Sequence, residues 1–201
     1  VASVALGVGA TLRYLKLSQL DRHFVWLILV AGLPGVIIGG RLILFVPEQW
    51  SLFALGMLTG GLGIYSMLKP SLGQEYAAKH RDTEGYALGG LVLFFLGVLN
   101  GSLTSGTGLF VTLWMIAWFG MDYRRALAYT LILVGLFWNG TGAITLGLLG
   151  EIRWDWLPAL LLGSLLGGYW GTHLAIRYGN QWIKRAFELV TLLIAAKLLW
   201  V

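Results

Sequence analysis

Apolar residues run in long blocks along this chain, separated by short polar joints. Six blocks lie near residues 1–17, 23–46, 49–69, 124–148, 156–177 and 180–201. Their lengths approach the ~20 residues that a helix needs to cross a bilayer. A further block, Leu88 to Phe119, is split by Asn100-Gly-Ser-Leu-Thr-Ser-Gly-Thr-Gly108 into two arms, Leu88–Leu99 and Leu109–Phe119. Irregular backbone at membrane depth is tolerated only where it is buried in protein or lines a cavity. The interrupted block therefore predicts a broken helix with a solute site at the break.

Charge distribution decides how that block is threaded. As one straight helix its roughly 32 residues would measure about 48 Å, too long for a hydrocarbon core of about 30 Å. If it turns back, Arg13, Lys16, Arg22, Lys69, Lys79, Arg81, Arg124, Arg125, Arg177, Lys184 and Arg185 share one side, against Arg41, Arg153 and Lys197, which is 11 against 3. A single crossing moves five of these residues outward and two inward, giving 8 against 6. The positive-inside rule prefers the hairpin, with its base on the cytoplasmic side. Each arm is then expected to be short, about 17–18 Å, reaching mid-bilayer.

Composition agrees with a membrane protein: 58% of residues are hydrophobic and 11% charged, where a soluble domain carries roughly 25% charged. Mean hydropathy is +0.79. The 29 glycines suit close helix packing of the small-xxx-small kind. Basic residues at segment ends account for the net charge of +5 without nucleic-acid binding. The chain opens at Val1-Ala-Ser-Val-Ala-Leu-Gly, already helix interior, which reads as a truncated start.

The two halves look duplicated. The shift that lays Trp50 on Trp182 pairs Gln49 with Gln181, Gly35 with Gly167 and Gly39 with Gly171. The expected fold class is an all-α polytopic membrane protein of duplicated inverted repeats, each a re-entrant broken-helix hairpin followed by three transmembrane helices. On this reading the first hairpin is missing from the chain. The expected organisation is a first repeat over 1–69, a polar cytoplasmic linker over 70–85 and a second repeat over 86–201.

The candidate substrate-binding residues are Asn100, Gly101, Ser102, Thr104, Ser105, Gly106, Thr107 and Gly108 at the break, with Asn139 and Thr141 from the span that follows. The hydroxyls and amides bring neutral donors, and the glycines let the backbone approach a ligand. The positive end of the second arm's helix dipole would face the tip, which suits a small anion. Asn139 falls near mid-span and either faces the tip or makes an interhelical hydrogen bond. Trp138 beside it reads as packing. Asp122 reads as solvated interface charge or a helix cap, and Glu151, Arg153 and Asp155 with Trp154 and Trp156 as a membrane-surface anchor. Glu188 stands four residues after Lys184, a local pair in preference to a proton carrier. His173 reads as a packed or interfacial histidine.

Gly97-Val-Leu-Asn-Gly-Ser-Leu-Thr-Ser-Gly-Thr-Gly-Leu-Phe110 resembles the glycine-rich signature of the TauE/SafE sulfite exporter family. Gly140-Thr-Gly-Ala, Gly150-Glu-Ile-Arg-Trp-Asp-Trp156 and Leu162-Gly-Ser-Leu-Leu-Gly-Gly168 resemble its following elements in the same order. Ser105-Gly-Thr-Gly108 stands where the family carries a fuller Gly-Gly-Gly run. The resemblance implies a multi-pass permease of the bacterial inner membrane that exports sulfite, organosulfonates or related anions. Its partners would be a small anionic substrate and the lipid bilayer, with homo-oligomerisation compatible and no nucleic acid. Transport of another small anion or ion, and a non-transporting scaffold or assembly role, stand as alternatives. The usual equipment of an intramembrane enzyme is missing. There is no His-Glu-x-x-His, no Cys, and Leu103 occupies the first glycine position of a nucleophile elbow around Ser105. No catalytic residue, metal site or cofactor is expected.

Overall fold

The computed structural model describes residues 1–14, 20–42, 48–103, 107–149 and 157–200. Helices α1 (Ala2–Tyr14), α2 (Arg22–Leu42) and α3 (Glu48–Leu68) are followed by α4 (Thr83–Leu103) and α5 (Gly108–Ala117). Then come α6 (Tyr123–Tyr129), a π-helical segment (Thr130–Trp138), α7 (Asn139–Leu149) and α8 (Leu157–Trp200), with no strand among the described residues. Arg22–Leu42, Ser51–Leu68, Thr83–Leu103 and Tyr123–Leu148 are each long and apolar enough to cross a membrane. Within α8, Gly179 takes φ 79° and ψ −173°, dividing the helix where two separate spans were expected.

Glycine sets the closest contacts. Helices α2 and α4 run parallel, Phe24 beside Tyr86 at one end and Gly39 beside Ser102 at the other. A Cβ on Gly97 would overlap the Gly32 carbonyl, and one on Gly35 would overlap that of Phe94. The seam is backbone against backbone, the small-xxx-small contact that drives helix association where lipid gives no hydrophobic force. Helix α1 packs on the first arm of α8 through Gly9 and Gly168. Helix α3 runs antiparallel to the second arm, Gly56 beside Leu198, Gly60 beside Ala195 and Gly63 beside Leu192.

The break in the Leu88–Phe119 block is shorter than expected, and its first arm longer. Helix α4 keeps its geometry through Asn100, Gly101 and Ser102 to Leu103. At the usual rise it is roughly 31 Å long, a full bilayer core and not half of one. Poor helix formers stay helical here because α2 packs against them: a Cβ on Gly101 would overlap the Val36 carbonyl. Ser102 Oγ donates back to the Val98 and Leu99 carbonyls at 3.0 and 3.2 Å. Helix α5 is shorter, only Gly108 to Ala117. Its length is roughly 15 Å, close to what was expected of that arm.

Even so, the chain comes back to the end it left. Trp118 Nε1 donates to the Gly85 carbonyl at 3.0 Å, and Lys79 N–H to the Phe119 carbonyl at 3.2 Å. Ala77 N–H donates to the Gly120 carbonyl at 2.9 Å. Gly120 has a φ of 68°, and a Cβ there would overlap the Ala77 carbonyl. Only glycine fits this turn. The same end collects the joint of α8, where Asn180 Nδ2 donates to the Gln74 carbonyl at 2.8 Å. Asn180 Oδ1 in turn accepts from Arg124 N–H at 3.0 Å. Arg13, Arg22, Lys69, Lys79, Arg81, Arg124, Arg125, Arg177, Lys184 and Arg185 thus gather at one end of the bundle, while Arg41 and Lys197 mark the other. Lys16 and Arg153 lie outside the described residues.

Candidate functional site

Three side chains meet where α4 ends and α5 begins. Asn100, near the end of α4, is 4% exposed, and its Nδ2 donates to Thr107 Oγ1 at 2.5 Å. The same amide reaches Asn139 Oδ1 at 3.3 Å. Thr107, 1% exposed, is the residue before α5 and makes no side-chain cap on that helix. Its hydroxyl faces the asparagines instead. One helical turn along, Thr112 Oγ1 lies 2.9 Å from the Gly108 carbonyl and 3.0 Å from Thr130 Oγ1, and both threonines are buried.

Asn139 reaches this cluster from a helix whose register has changed. Residues Thr130–Trp138 form a π-helix, and Asn139 N–H donates to the Val134 carbonyl five residues back. Widened turns of this kind are uncommon and appear frequently at functional sites. The segment is apolar apart from Thr130, so no periodicity in the sequence separates it from an ordinary helix. Trp138 packs as expected: it is fully buried against Gly32, with Nε1 donating to the Ile28 carbonyl at 3.1 Å.

Of the sequence candidates, Asn100, Thr107 and Asn139 come together. Gly101 and Ser102 sit along the α2 seam, and a Cβ on Gly108 would touch Thr130 Cγ2 at 3.1 Å. Thr141 is half-buried, its carbonyl accepting from Thr145 Oγ1 at 2.9 Å, and no hydrogen bond among the described residues joins its side chain to Asn100. Thr104, Ser105 and Gly106 lie outside the described residues, as do Glu151, Arg153, Trp154, Asp155 and Trp156. Thr112 was not anticipated; its only signal is a lone hydroxyl inside the apolar run Leu109–Phe119.

The charged candidates behave more simply. Asp122 caps α6, accepting the Arg125 N–H at 3.0 Å, as a short acidic side chain at that position does. Lys184 and Glu188 pair at 2.6 Å and enlist Ser66 of α3, whose Oγ donates to Glu188 Oε1 at 2.9 Å. Tyr123 OH stands 2.9 Å from the same Ser66 Oγ. No cluster of His, Cys, Asp or Glu among the described residues is arranged to hold a metal ion. The Asn100 cluster contains no titratable group, so its chemistry is that of neutral hydrogen-bond donors and acceptors.

Known proteins share this sequence pattern along nearly its whole length. A probable membrane transporter protein of Haemophilus influenzae is 25% identical over 96% of this chain and 74% of its own. The probable membrane transporter protein YfcA of Escherichia coli K12 is 24% identical over 96% of this chain and 71% of its own. A probable membrane transporter protein, ORF9, of a Sinorhizobium species is 25% identical over 95% of this chain and 72% of its own. No solved structure matches. The family model described as sulfite exporter TauE/SafE matches residues 1–198, and the chain belongs to that family of multi-pass membrane transporters.

Proposed function

We propose that this protein exports a small sulfur-containing anion, sulfite or a sulfonate, from the cytoplasm, binding it where Asn100, Thr107 and Asn139 converge. The observation that carries this reading is an uncharged polar cluster at a helix break, with Asn100 and Thr107 buried and Asn139 half-buried, beside a π-helical segment, in a family of transporters. Buried amides and hydroxyls in an apolar bundle are expensive unless each finds a partner. Asn139 brings amide protons and Thr107 a hydroxyl proton, and neutral donors hold an oxyanion without the grip of a buried arginine. Positive-inside asymmetry puts the basic end in the cytoplasm, and on this reading the membrane is the bacterial inner membrane.

The threading supports an inverted duplication. The shift that lays Trp50 on Trp182 carries the contact between Gly60 and Ala195 onto that between Leu192 and Gly63. It likewise carries Gly56 beside Leu198 onto Glu188 beside Ser66. Related helices packed antiparallel about their own midpoint are what a two-fold axis in the membrane plane produces.

The test is efflux of labelled sulfite from proteoliposomes holding the full-length protein, alongside a Thr107→Trp variant. Efflux that the variant abolishes, with its folding checked by gel filtration, supports the assignment. No efflux of sulfite, sulfoacetate or thiosulfate from a folded preparation removes it.

A further inference from the structure

A second polar region lies at the basic end of the bundle, apart from the Asn100 cluster. It is a cavity of about 560 Å³ whose lining includes Phe24, Tyr76, Arg81, Arg124, Arg125 and Tyr129. Arg81 is held there by aromatic groups. Its guanidinium covers the Phe24 ring at 4.7 Å, and Nη2 donates to Tyr76 OH at 2.5 Å. Arg125 covers the other aromatic support, the Tyr76 ring, at 4.1 Å. Arg124 Nη2 makes a long contact of 3.4 Å with the Ile176 carbonyl.

Two of these three arginines have no carboxylate within ion-pair distance among the described residues. Among the described residues neither Arg81 nor Arg124 forms an ion pair, and Arg81 Nε is buried without a hydrogen-bond partner. The two acids in the lining answer the arginines only in part: Arg81 acts on Asp21 through space, without an ion-pair contact, and Asp122 pairs at long range with Arg125. Asp21 accepts from the His23 N–H at 2.9 Å and lies 3.2 Å from its ring, contacts that hold its carboxyl below the usual range. Asp122 caps α6 and reaches Arg125 Nε only at 3.9 Å. Tyr129 OH accepts the Asp21 N–H at 2.8 Å, which leaves its own proton to turn into the cavity. A buried guanidinium donor with no acceptor is costly, and an oxyanion between two arginines and a phenol would satisfy it.

We propose that this cavity is a second anion site, in which a small oxyanion is held by Arg81 and Arg124 with the Tyr129 hydroxyl as a further donor. The volume exceeds that of a bare tetrahedral anion, so the occupant keeps water around it or carries a short organic substituent. The same chemistry suits the phosphate of an anionic lipid headgroup. The site does not depend on the role given to Thr107. If that role holds, this is where the anion is collected from the cytoplasm.

The experiment follows thermal unfolding of the full-length protein by tryptophan fluorescence, in nanodiscs of phosphatidylcholine alone, with sodium sulfate titrated against sodium chloride at equal ionic strength. Sulfate should raise the midpoint saturably. Arg124→Gln, at an exposed position, should raise the half-saturating concentration about tenfold, or about 1.4 kcal/mol. Arg81→Lys should raise it too, since lysine loses the forked donors, while Arg41→Gln, exposed at the other end of the bundle, should leave it unchanged. If phosphatidylglycerol supplies the stabilisation instead, and Arg124→Gln removes it, the occupant is a headgroup phosphate seated on the same residues. A sulfate response that survives Arg124→Gln and Arg81→Lys overturns the proposal. So does the absence of any response to either anion in the unmodified protein.

Discussion

Asn100 and Thr107 are seven residues apart in sequence and 2.5 Å apart at their side chains, the amide near the end of α4 closing on the hydroxyl just before α5. The bond does two things: it joins the two helix ends, and it leaves the threonine proton directed away from the amide. Thr107→Val keeps the shape and removes the oxygen. The expected outcome is a loss of about 1 kcal/mol in stability. Transport should fall roughly tenfold, the equivalent of about 1.4 kcal/mol. Thr107→Ser should retain most of both. Efflux assays beside fluorescence melts check the pair; a valine variant that transports normally would show the cluster to be structural.

The α2–α4 seam makes a sharper stability prediction. Gly97→Ala places a methyl group on the Gly32 carbonyl, and backbone cannot yield as a side chain would. Overpacking of this kind typically costs about 1–3 kcal/mol. Gly61→Ala meets nothing within 4 Å. It should stabilise by about 0.5–1 kcal/mol, through helix propensity alone. Ten tryptophans make intrinsic fluorescence a usable probe of both melts in a chain with no cysteine to label. Equal melting of the two variants would contradict the packing described.

Much of this arrangement was legible before the structure, for physical reasons that can be named. Apolar run length located the helices, and Tyr178–Gly179 fell at the expected joint between the last two. Counting Arg and Lys anticipated that Gly85 and Trp118 lie at one end, because misplacing five cations is what a single crossing would require. Asn139 was recognisable because an amide at mid-span must find a partner. The continuation of α4 through Gly101 and Ser102 was not legible, since local propensity argued for a break and packing against α2 decided otherwise. Nor was the π register of Thr130–Trp138, where every side chain but Thr130 is apolar and no period shows. Arg81 met Phe24 only through the tertiary fold.

The partly buried pair Lys184–Glu188 predicts a non-additive double variant. Lys184 is 8% exposed and donates to both the carbonyl and the hydroxyl of Ser66, so each charge leans on the other and on α3. Removing one partner of a buried pair typically costs about 3–5 kcal/mol, because the other charge is stranded. Glu188→Gln and Lys184→Met should each be strongly destabilised. The double variant should lose less than the sum of the two, measured as a double-mutant cycle in the same nanodiscs. Additive losses would mean that the two side chains act independently.

Gly179 separates backbone strain from crowding. A Cβ there meets nothing within 4 Å, so space does not forbid a larger residue. Its φ of 79° with ψ of −173° does. That region is essentially closed to residues with a Cβ, and holding one there costs about 1–3 kcal/mol. Gly167, earlier in the same helix and equally open, has no positive φ. Gly167→Ala should therefore stabilise the protein slightly, while Gly179→Ala destabilises it or straightens α8. Straightening would pull Asn180 away from the Gln74 carbonyl and the Arg124 N–H, loosening the basic end where those contacts meet. Hydrogen exchange at Arg124 distinguishes the two: faster exchange in Gly179→Ala than in Gly167→Ala is expected, and equal exchange would mean that the joint of α8 is not what fixes that end of the bundle.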